Sequence, residues 1–266
     1  MHDLKVLCLQ SDIITSDPEK NRELLEIKIR NHVEGHDLII LPEAFTTSFH
    51  VDPKTNAESI EGKTIEWMRK TASKTAAVIT GSLFIEKEGK YTNSLIWMQP
   101  DGHFESYNKR HVFSMGGEHK QIRKGTENLI IDIKGWKIKP MICYDLRFPV
   151  WSKNTITEGG SYAYDLAIYV ANWPSVRNYP WNMLLIGRAI ENLSYVIGVN
   201  RVGYDALGTL YSGDSMIIDP KGKVMEQADE GKERALSTVL SYDELIKFRE
   251  KFNVGMDWDE FEIINH

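Results

Sequence analysis

Cysteine is scarce in this sequence, because only Cys8 and Cys143 occur among its 266 residues. Two cysteines are too few for the disulfide framework of a secreted protein, and they suit a reducing compartment in which thiols stay free. The N-terminus has neither a basic region followed by an unbroken apolar stretch nor a small-residue cleavage site, so it does not have the pattern of a secretory signal. We therefore expect a cytoplasmic protein.

Long hydrophobic runs and an excess of positive charge are also missing. No apolar segment approaches the ~18 residues that a membrane-spanning helix needs. The 32 Lys and Arg residues are outnumbered by 38 Asp and Glu residues, which gives a formal charge of −6. Proteins that follow a phosphate backbone need clustered Lys and Arg. The sequence thus predicts neither a membrane nor a nucleic acid as a partner.

No segment of the sequence divides the chain into parts. It contains no Ser/Gly/Pro-rich linker, no low-complexity run and no strict repeat. Its hydrophobic fraction of 42% is typical of a globular protein that can bury a core. We expect residues 1–266 to form a single domain.

Short apolar runs predict strands, and longer segments with capping residues and helical spacing predict helices between them. The predicted strands are 4–9, 37–41, 77–85, 91–98, 103–107, 128–133, 137–142, 166–171, 195–200, 215–218 and 223–225. The predicted helices are 16–33, 64–74, 149–156 and 181–193, and in the first of them Leu24, Leu25, Ile27 and Ile29 are expected to face inward. Segments 99–102 and 219–222 have the composition of turns that join antiparallel strands. This combination favours an α/β fold in which two mixed sheets are stacked with helices outside.

Cys143 stands where a predicted buried strand ends and a helix is about to begin. Backbone N–H groups at such a turn are unpaired, and a helix N-terminus favours negative charge, so a thiolate or an oxyanion would be stabilised there. Most free cysteines are simply small buried hydrophobes. We prefer that interpretation for Cys8, which lies inside an apolar strand, whereas for Cys143 taken alone both interpretations stay open.

A nucleophilic thiol needs a base, and histidine is the usual partner. His111 and His119 have no companion at metal-ligand spacing, and His32 with His36 lies at a predicted helix end, so we interpret all four as structural or surface residues and predict no metal site. A carboxylate is the alternative base. Glu43 directly follows an apolar strand, and a carboxylate in that position can accept a proton from a thiol, although a solvated loop carboxylate is the simpler interpretation.

Three segments together resemble the nitrilase, or carbon-nitrogen hydrolase, superfamily, whose catalytic set is a glutamate, a lysine and a cysteine in that chain order. They are Leu41-Pro42-Glu43, Asn108-Lys109-Arg110-His111 and Ile142-Cys143-Tyr144-Asp145-Leu146-Arg147-Phe148-Pro149, and the similarity continues through 171–174, 188–192 and 213–222. The resemblance implies a four-layer α-β-β-α sandwich, which agrees with the stacked mixed sheets predicted above. It also implies a homodimer with contacts in the Cys143 and Trp181 regions, and we expect no cofactor.

The resemblance also assigns roles to individual residues. Cys143 is the expected nucleophile, Glu43 the general base, and Lys109 with the Tyr144 backbone N–H the groups that hold the oxyanion. Glu118 matches a second family glutamate, which orients the substrate amide or supports the lysine.

Four further side chains are candidates near the site. The planar guanidinium of Arg177 could bind both oxygens of a substrate carboxylate. Trp173 could form a wall of the pocket or pack in the core. We interpret Arg147 and Arg188 as structural residues that pair with carboxylates such as Asp145 or Glu191.

Typical nitrilases carry Trp-Glu after the cysteine, whereas Tyr144-Asp145 here looks like the amidase branches. The likeness is strongest to omega-amidases that act on 2-oxoglutaramate or 2-oxosuccinamate, which implies a small linear amide as the substrate. An N-carbamoyl amide hydrolase or a nitrilase on the same fold is the nearest alternative. A hydrolase-like fold kept only as an interaction module is an alternative of a different class.

Overall fold

The fold is described from a computed structural model that covers residues 2–32 and 35–264. The strands are β1 Leu4–Gln10, β2 Leu38–Ile40, β3 Val78–Lys87, β4 Lys90–Met98, β5 Phe104–Asn108, β6 Ile131–Ile133, β7 Trp136–Ile142, β8 Leu166–Ala171, β9 Tyr195–Asn200, β10 Val202–Tyr204, β11 Leu210–Ser212, β12 Met216–Ile218, β13 Val224–Gln227 and β14 Arg234–Leu240. The α-helices are α1 Pro18–His32, α2 Pro53–Asn56, α3 Lys63–Thr75, α4 Pro149–Ser152, α5 Asn178–Asn192 and α6 Tyr242–Lys251.

Two six-stranded mixed sheets form the centre of the molecule. The first has the strand order β14-β1-β2-β3-β4-β5 and the second has the order β13-β12-β9-β8-β7-β6. In each sheet three adjacent strands run parallel, β1 to β3 in one and β7 to β9 in the other, while the flanking strands pair antiparallel. The turns predicted at 99–102 and 219–222 do join the antiparallel pairs β4–β5 and β12–β13.

Side chains alternate along the strands of the first sheet, and the two faces contact different partners. Leu7 of β1 and Ile39 of β2 pack in a cluster with apolar residues of α1 and α3. Val6 and Leu38, on the opposite face, belong to a core cluster that is shared with the second sheet and α5. Because successive strand residues point to opposite faces, this division produces four layers. The predicted α-β-β-α sandwich is thereby confirmed.

The predicted elements differ from the observed ones in a few places. Ile27 was expected to face inward from α1 but is 45% exposed, since it lies two residues, about 200° of helical rotation, from both Leu25 and Ile29, which are buried. Helix α4 ends at Ser152 rather than at residue 156. The predicted end of α1 near Val33 lies outside the described residues.

Helices α2 and α6 and strands β10, β11 and β14 have no counterpart among the predicted elements. Strand β14 forms the edge of the first sheet and pairs along its whole length with β1, more than two hundred residues away in the chain. No helix in the described parts of the chain is long and apolar enough to cross a membrane.

Candidate active site

Four residues with reactive or polar side chains lie at or shortly after the ends of strands and meet at one cavity. Lys109 follows β5, Cys143 follows β7 and Asn172 follows β8, while Glu43 comes three residues after the end of β2. All four line a cavity of about 250 Å³. Residues that lie far apart in the chain are thus brought together at the ends of strands from both sheets.

The turn that carries Cys143 has a strained backbone. Cys143 has φ +44°, in the left-handed region that non-glycine residues rarely adopt. It opens a 3₁₀-helix, Cys143–Arg147, directly after the buried strand β7. The first N–H groups of a helix have no acceptor within the helix, so the N–H of Tyr144 is available beside the sulfur. The Sγ itself lies 3.9 Å from the backbone oxygen of Asn172.

Glu43 is completely buried, and both of its carboxylate oxygens are hydrogen-bonded. Oε1 accepts from Asn93 Nδ2 at 2.8 Å and from Lys109 Nζ at 2.9 Å, and Oε2 accepts from the backbone N–H of Asn172 at 2.8 Å. The side-chain amide of Asn172 also donates to the Glu43 backbone oxygen. Asn172 therefore contacts the backbone and side chain of Glu43 and the sulfur of Cys143.

Lys109 is 1% exposed and lies between two carboxylates. Its Nζ is 2.9 Å from Glu43 Oε1 and 3.1 Å from Glu118 Oε2. Glu118 does not line the cavity, and its carboxylate is directed at the lysine and at the backbone N–H of Phe113. In this position the Glu118 carboxylate is hydrogen-bonded to Lys109, and its role in orienting a substrate amide stays a prediction.

Burial and charge set the protonation of these groups. Burial raises the pKa of the Cys143 thiol well above its usual range, and the Glu43 carboxylate raises it further, while Lys109 opposes both effects. Burial alone would lower the pKa of Lys109, but Glu118 and Glu43 outweigh it, so the pKa of this lysine is raised. Before substrate arrives, the site therefore contains a neutral thiol beside an ammonium group.

Asp145 connects the segment after Lys109 to the turn that carries Cys143. It is fully buried, and its Oδ2 accepts from the hydroxyl of Tyr107 at 2.8 Å and from the backbone N–H of Ile142 at 3.0 Å. Its Oδ1 accepts from both the backbone N–H and the ring Nδ1 of His111, at 2.9 and 2.8 Å. These bonds hold the lysine and the cysteine segments at a fixed separation.

The outer part of the cavity combines aromatic rings and cations. Tyr144, Trp173 and Arg177, three residues predicted to contact substrate, all line it. Trp173 is also held by its Nε1, which donates to the backbone oxygen of Arg177 at 2.7 Å. The guanidinium of Arg177 lies 5.7 Å from the centre of the Phe113 ring.

The predicted pairing of Arg147 with Asp145 is not formed, because the Asp145 carboxylate is bound by Tyr107, His111 and the backbone of Ile142. Arg147 instead lines the cavity, with its guanidinium 4.7 Å from the ring of Trp173. Arg188 does pair with Glu191, at 2.8 Å, as predicted.

Several residues of the site were not predicted from the sequence. Asn172 directly follows a buried strand, as Cys143 does, so its position in the sequence could have identified it as a candidate site residue. Asn93 lies inside β4, and His50 and Thr209 lie in loops, where no local pattern distinguishes them. Only the folded chain brings Asn93 to Glu43 and places His50 and Thr209 at the cavity.

The stacked sheets and a buried Glu-Lys-Cys cluster beside an open cavity are features of an amide-hydrolysing enzyme. Comparisons with known proteins give the same class. The family model described as "Carbon-nitrogen hydrolase" matches residues 5–249. The chain therefore belongs to the carbon-nitrogen hydrolase family, and it is an enzyme that hydrolyses amides.

Individual relatives are similar over almost the whole chain. The chain is 40% identical to "Omega-amidase YafV" of Yersinia enterocolitica, over 99% of this chain and 100% of the relative. It is 31% identical to "2-oxoglutaramate amidase" of Bacillus subtilis, over 87% and 88% of the two chains. The solved structure of XC1258 from Xanthomonas campestris, described as a CN-hydrolase superfamily protein with an arsenic adduct in the active site, has a TM-score of 0.96 at 40% identity, over 99% of this chain and 100% of that one.

Proposed function

We propose that this enzyme hydrolyses the terminal amide of a small 2-oxo dicarboxylic acid monoamide, such as 2-oxoglutaramate, to the dicarboxylate and ammonia. The observation that carries the proposal is the Glu43, Lys109 and Cys143 cluster at the base of a cavity whose outer wall is cationic. Relatives that match nearly the whole chain are described as omega-amidase and 2-oxoglutaramate amidase. The chemistry of the cavity and the names of these relatives thus agree.

In the first half of the reaction, the Cys143 sulfur attacks the amide carbon while Glu43 takes the thiol proton. Glu43 then gives that proton to the departing nitrogen, so ammonia leaves and a thioester remains on the sulfur. The raised pKa of the thiol makes a base necessary at this step, since only the thiolate is a strong nucleophile.

In the second half, Glu43 takes a proton from water as the water oxygen attacks the thioester carbon. The carbon–sulfur bond breaks, the carboxylic acid leaves and the proton returns to the sulfur. Both halves pass through a negatively charged oxygen on the former amide carbon. Lys109 and the backbone N–H of Tyr144 stabilise this oxyanion, and the loss of one such donor typically costs about 100- to 1,000-fold in rate.

Arg147 and Arg177 bind the substrate carboxylate. Among the described residues neither arginine forms an ion pair with a carboxylate of the protein, whereas the charge of Lys109 is balanced by Glu43 and Glu118. The outer wall therefore carries uncompensated positive charge. An anionic substrate is attracted to such a wall, and a guanidinium can bind both of its carboxylate oxygens.

Ammonia release from 2-oxoglutaramate, an N-carbamoyl amine and a simple nitrile tests the substrate class. We expect turnover of the first compound, and preferential turnover of either of the others would contradict the proposal. Cys143→Ala should abolish ammonia release and leave the circular-dichroism spectrum unchanged. Arg147→Ala and Arg177→Ala should raise KM for 2-oxoglutaramate more than for a neutral amide, and an equal loss on both compounds would exclude the arginines from carboxylate binding.

The enzyme forms a homodimer through α4 and α5. Tyr179, Met183 and Ile190 are exposed on one face of α5 at spacings of four and seven residues, and Val150 of α4 is 57% exposed. We define these four residues as the α4–α5 patch. Light scattering should report a dimer for the native chain and a monomer for the double variant Met183→Glu/Ile190→Glu. Met256→Glu, at an exposed apolar residue outside the patch, is the control, and a monomeric native chain would contradict the dimer.

The enzyme acts in the cytoplasm as a single domain of residues 1–266. Both cysteines are free, which suits a reducing compartment. Strands of both sheets contribute to one core cluster, so the sheets support each other. Activity in the soluble cytoplasmic fraction, and limited proteolysis that yields no stable fragment containing one sheet, are the expected results.

A further inference from the structure

A histidine on the cavity wall is connected to a buried hydrogen-bond network that the chemistry above does not use. His50 lines the same cavity as Cys143, and its Nδ1 lies 2.6 Å from Oδ2 of Asp205. The hydroxyl of Tyr211 donates to the same carboxylate oxygen at 2.9 Å. The other oxygen, Oδ1, accepts hydrogen bonds from the backbone N–H groups of Leu207 and Thr209, both at 2.9 Å.

The protons of this network can be assigned. Burial and the neighbouring Asp205 raise the pKa of Tyr211, so its hydroxyl keeps its proton and donates it. Burial alone would raise the pKa of Asp205, but the bonds from His50, Thr209 and Tyr211 outweigh it, and the pKa is lowered. Asp205 is therefore an acceptor only. The proton between His50 and Asp205 belongs to Nδ1, and Nε2 is the ring nitrogen left for a ligand.

Hydrogen bonds hold both the His50 ring and the chain segment that precedes it. Asp205 holds Nδ1, and Arg201, which is fully buried, donates to the hydroxyl of Ser48 at 2.7 Å, two residues before His50. The Arg201 guanidinium also lies 4.8 Å from the ring of Tyr211. Among the described residues, Nε2 of His50 has no hydrogen-bond partner. A ring that is held this firmly on a cavity wall, with one nitrogen free, is suited to contact substrate.

The proposed substrate is long enough to reach from Lys109 to His50. The Nζ of Lys109 lies 4.9 Å from the centre of the Phe49 ring, and that centre lies 5.0 Å from the centre of the His50 ring. The imidazole is therefore no farther from Nζ than these two distances combined. In 2-oxoglutaramate three carbon–carbon bonds separate the amide carbon from the 2-oxo carbon. These three bonds, together with a hydrogen bond of about 2.9 Å from the amide end to Lys109 and another from the 2-oxo end to His50, are long enough to bridge the distance between Nζ and the imidazole.

We propose that His50 is a specificity-determining residue whose ring donates to Asp205 from Nδ1 and to the 2-oxo oxygen of the substrate from Nε2, with Asp205 and Tyr211 as positioning residues. This inference rests on the proposed function. The groups that face the ring are the carboxylate of Asp205, the ammonium of Lys109 beyond Phe49 and the guanidinium of Arg201 beyond Tyr211. In the same place an amino-acid amide such as glutamine would present an ammonium group, which has no lone pair to accept a hydrogen bond from Nε2.

Glutaramate tests this role because it differs from 2-oxoglutaramate only in lacking the 2-oxo group. For the native enzyme we expect kcat/KM to be higher for 2-oxoglutaramate than for glutaramate. His50→Phe should lower kcat/KM for 2-oxoglutaramate by about 10- to 100-fold, the range for a buried acceptor that loses its donor, and should leave glutaramate within about 2-fold. His50→Gln, which keeps an N–H donor, should recover part of the loss. His103→Gln, at an exposed histidine of the β4–β5 turn, is the matched control and should change neither substrate.

Asp205→Asn tests the positioning role, and it should raise KM for 2-oxoglutaramate while kcat and the glutaramate kinetics change little. An equal loss on both substrates in the His50 variants, or an unchanged ratio, would overturn the inference, because a purely structural histidine affects both amides alike. If His50→Phe does not fold, the ratio measured for His50→Gln decides. If the native enzyme hydrolyses neither monoamide, the proposed function fails and the role of His50 fails with it. Turnover of both amides with an unchanged ratio refutes His50 alone.

Discussion

Replacing Glu43 by glutamine should change turnover and thiol reactivity in opposite directions. The substitution keeps the size of the side chain but removes its negative charge and its ability to accept a proton. Without a base, the first step of the proposed mechanism loses its proton acceptor. General acid–base catalysis typically contributes about 10²- to 10⁴-fold, so we expect ammonia release from 2-oxoglutaramate to fall by at least about 100-fold.

The reactivity of the thiol should increase, because the charge of Glu43 is the largest cause of the raised Cys143 pKa after burial. With glutamine at this position, the positive charge of Lys109 becomes the dominant charge near the sulfur. Two unit charges about 4 Å apart interact by about 4 kcal/mol at an effective dielectric constant of about 20. Even a third of that energy changes an equilibrium by about tenfold. Alkylation of Cys143 by iodoacetamide at pH 8 should therefore be at least about 10-fold faster in Glu43→Gln than in the native enzyme.

The measurement is the rate of Cys143 alkylation, followed by mass spectrometry, beside the rate of ammonia release from the same preparations. Cys8 provides an internal reference, because it is fully buried in β1 and burial raises the pKa of its thiol. Glu118→Gln is the matched control, since Glu118 contacts Lys109 but is not among the groups that shift Cys143. It should leave alkylation nearly unchanged. A parallel fall in alkylation and turnover in folded Glu43→Gln would refute the reasoning.

Three further substitutions test other parts of the structure. Asp145→Asn replaces an acceptor of four hydrogen bonds by a group that cannot accept them all, so chemical denaturation should show a loss of about 2–4 kcal/mol together with a lower kcat. Gly125→Ala would place its Cβ 2.1 Å from the backbone oxygen of Asn108, the residue before Lys109, and should lower the melting temperature by several degrees, whereas a Cβ at Gly159 meets nothing closer than 3.8 Å and Gly159→Ala should not. Burial lowers the pKa of Lys139 to about 8 from 10.5, so between these pH values the unfolded chain binds more protons. The unfolding free energy of the native enzyme relative to Lys139→Met should accordingly rise with pH, by at most about 3 kcal/mol, and a flat or falling difference would contradict the assignment.

Strands β8, β9 and β14 illustrate what the local sequence could and could not predict. Strand β8 and strand β9 were predicted with the observed bounds, because a short apolar run between turn residues leaves few alternatives for a buried strand. Strand β14 could not be found in the same way. Its burial alternates only weakly, and it is a strand because β1 offers it an edge to pair with. Edge pairing between distant segments leaves little trace in either segment alone.

The amino-acid sequence by itself determined the fold class, the family and the three residue types at strand ends on which the proposed chemistry depends. Those features follow from periodicity and from motifs that span a few residues, so they can be detected without coordinates. The tertiary structure decided which side chains meet. It turned Glu118 toward Lys109, placed Arg147 on the cavity wall and paired His50 with Asp205, 155 positions away. Such contacts depend on how two sheets stack and where their loops end, and no local spacing encodes that arrangement.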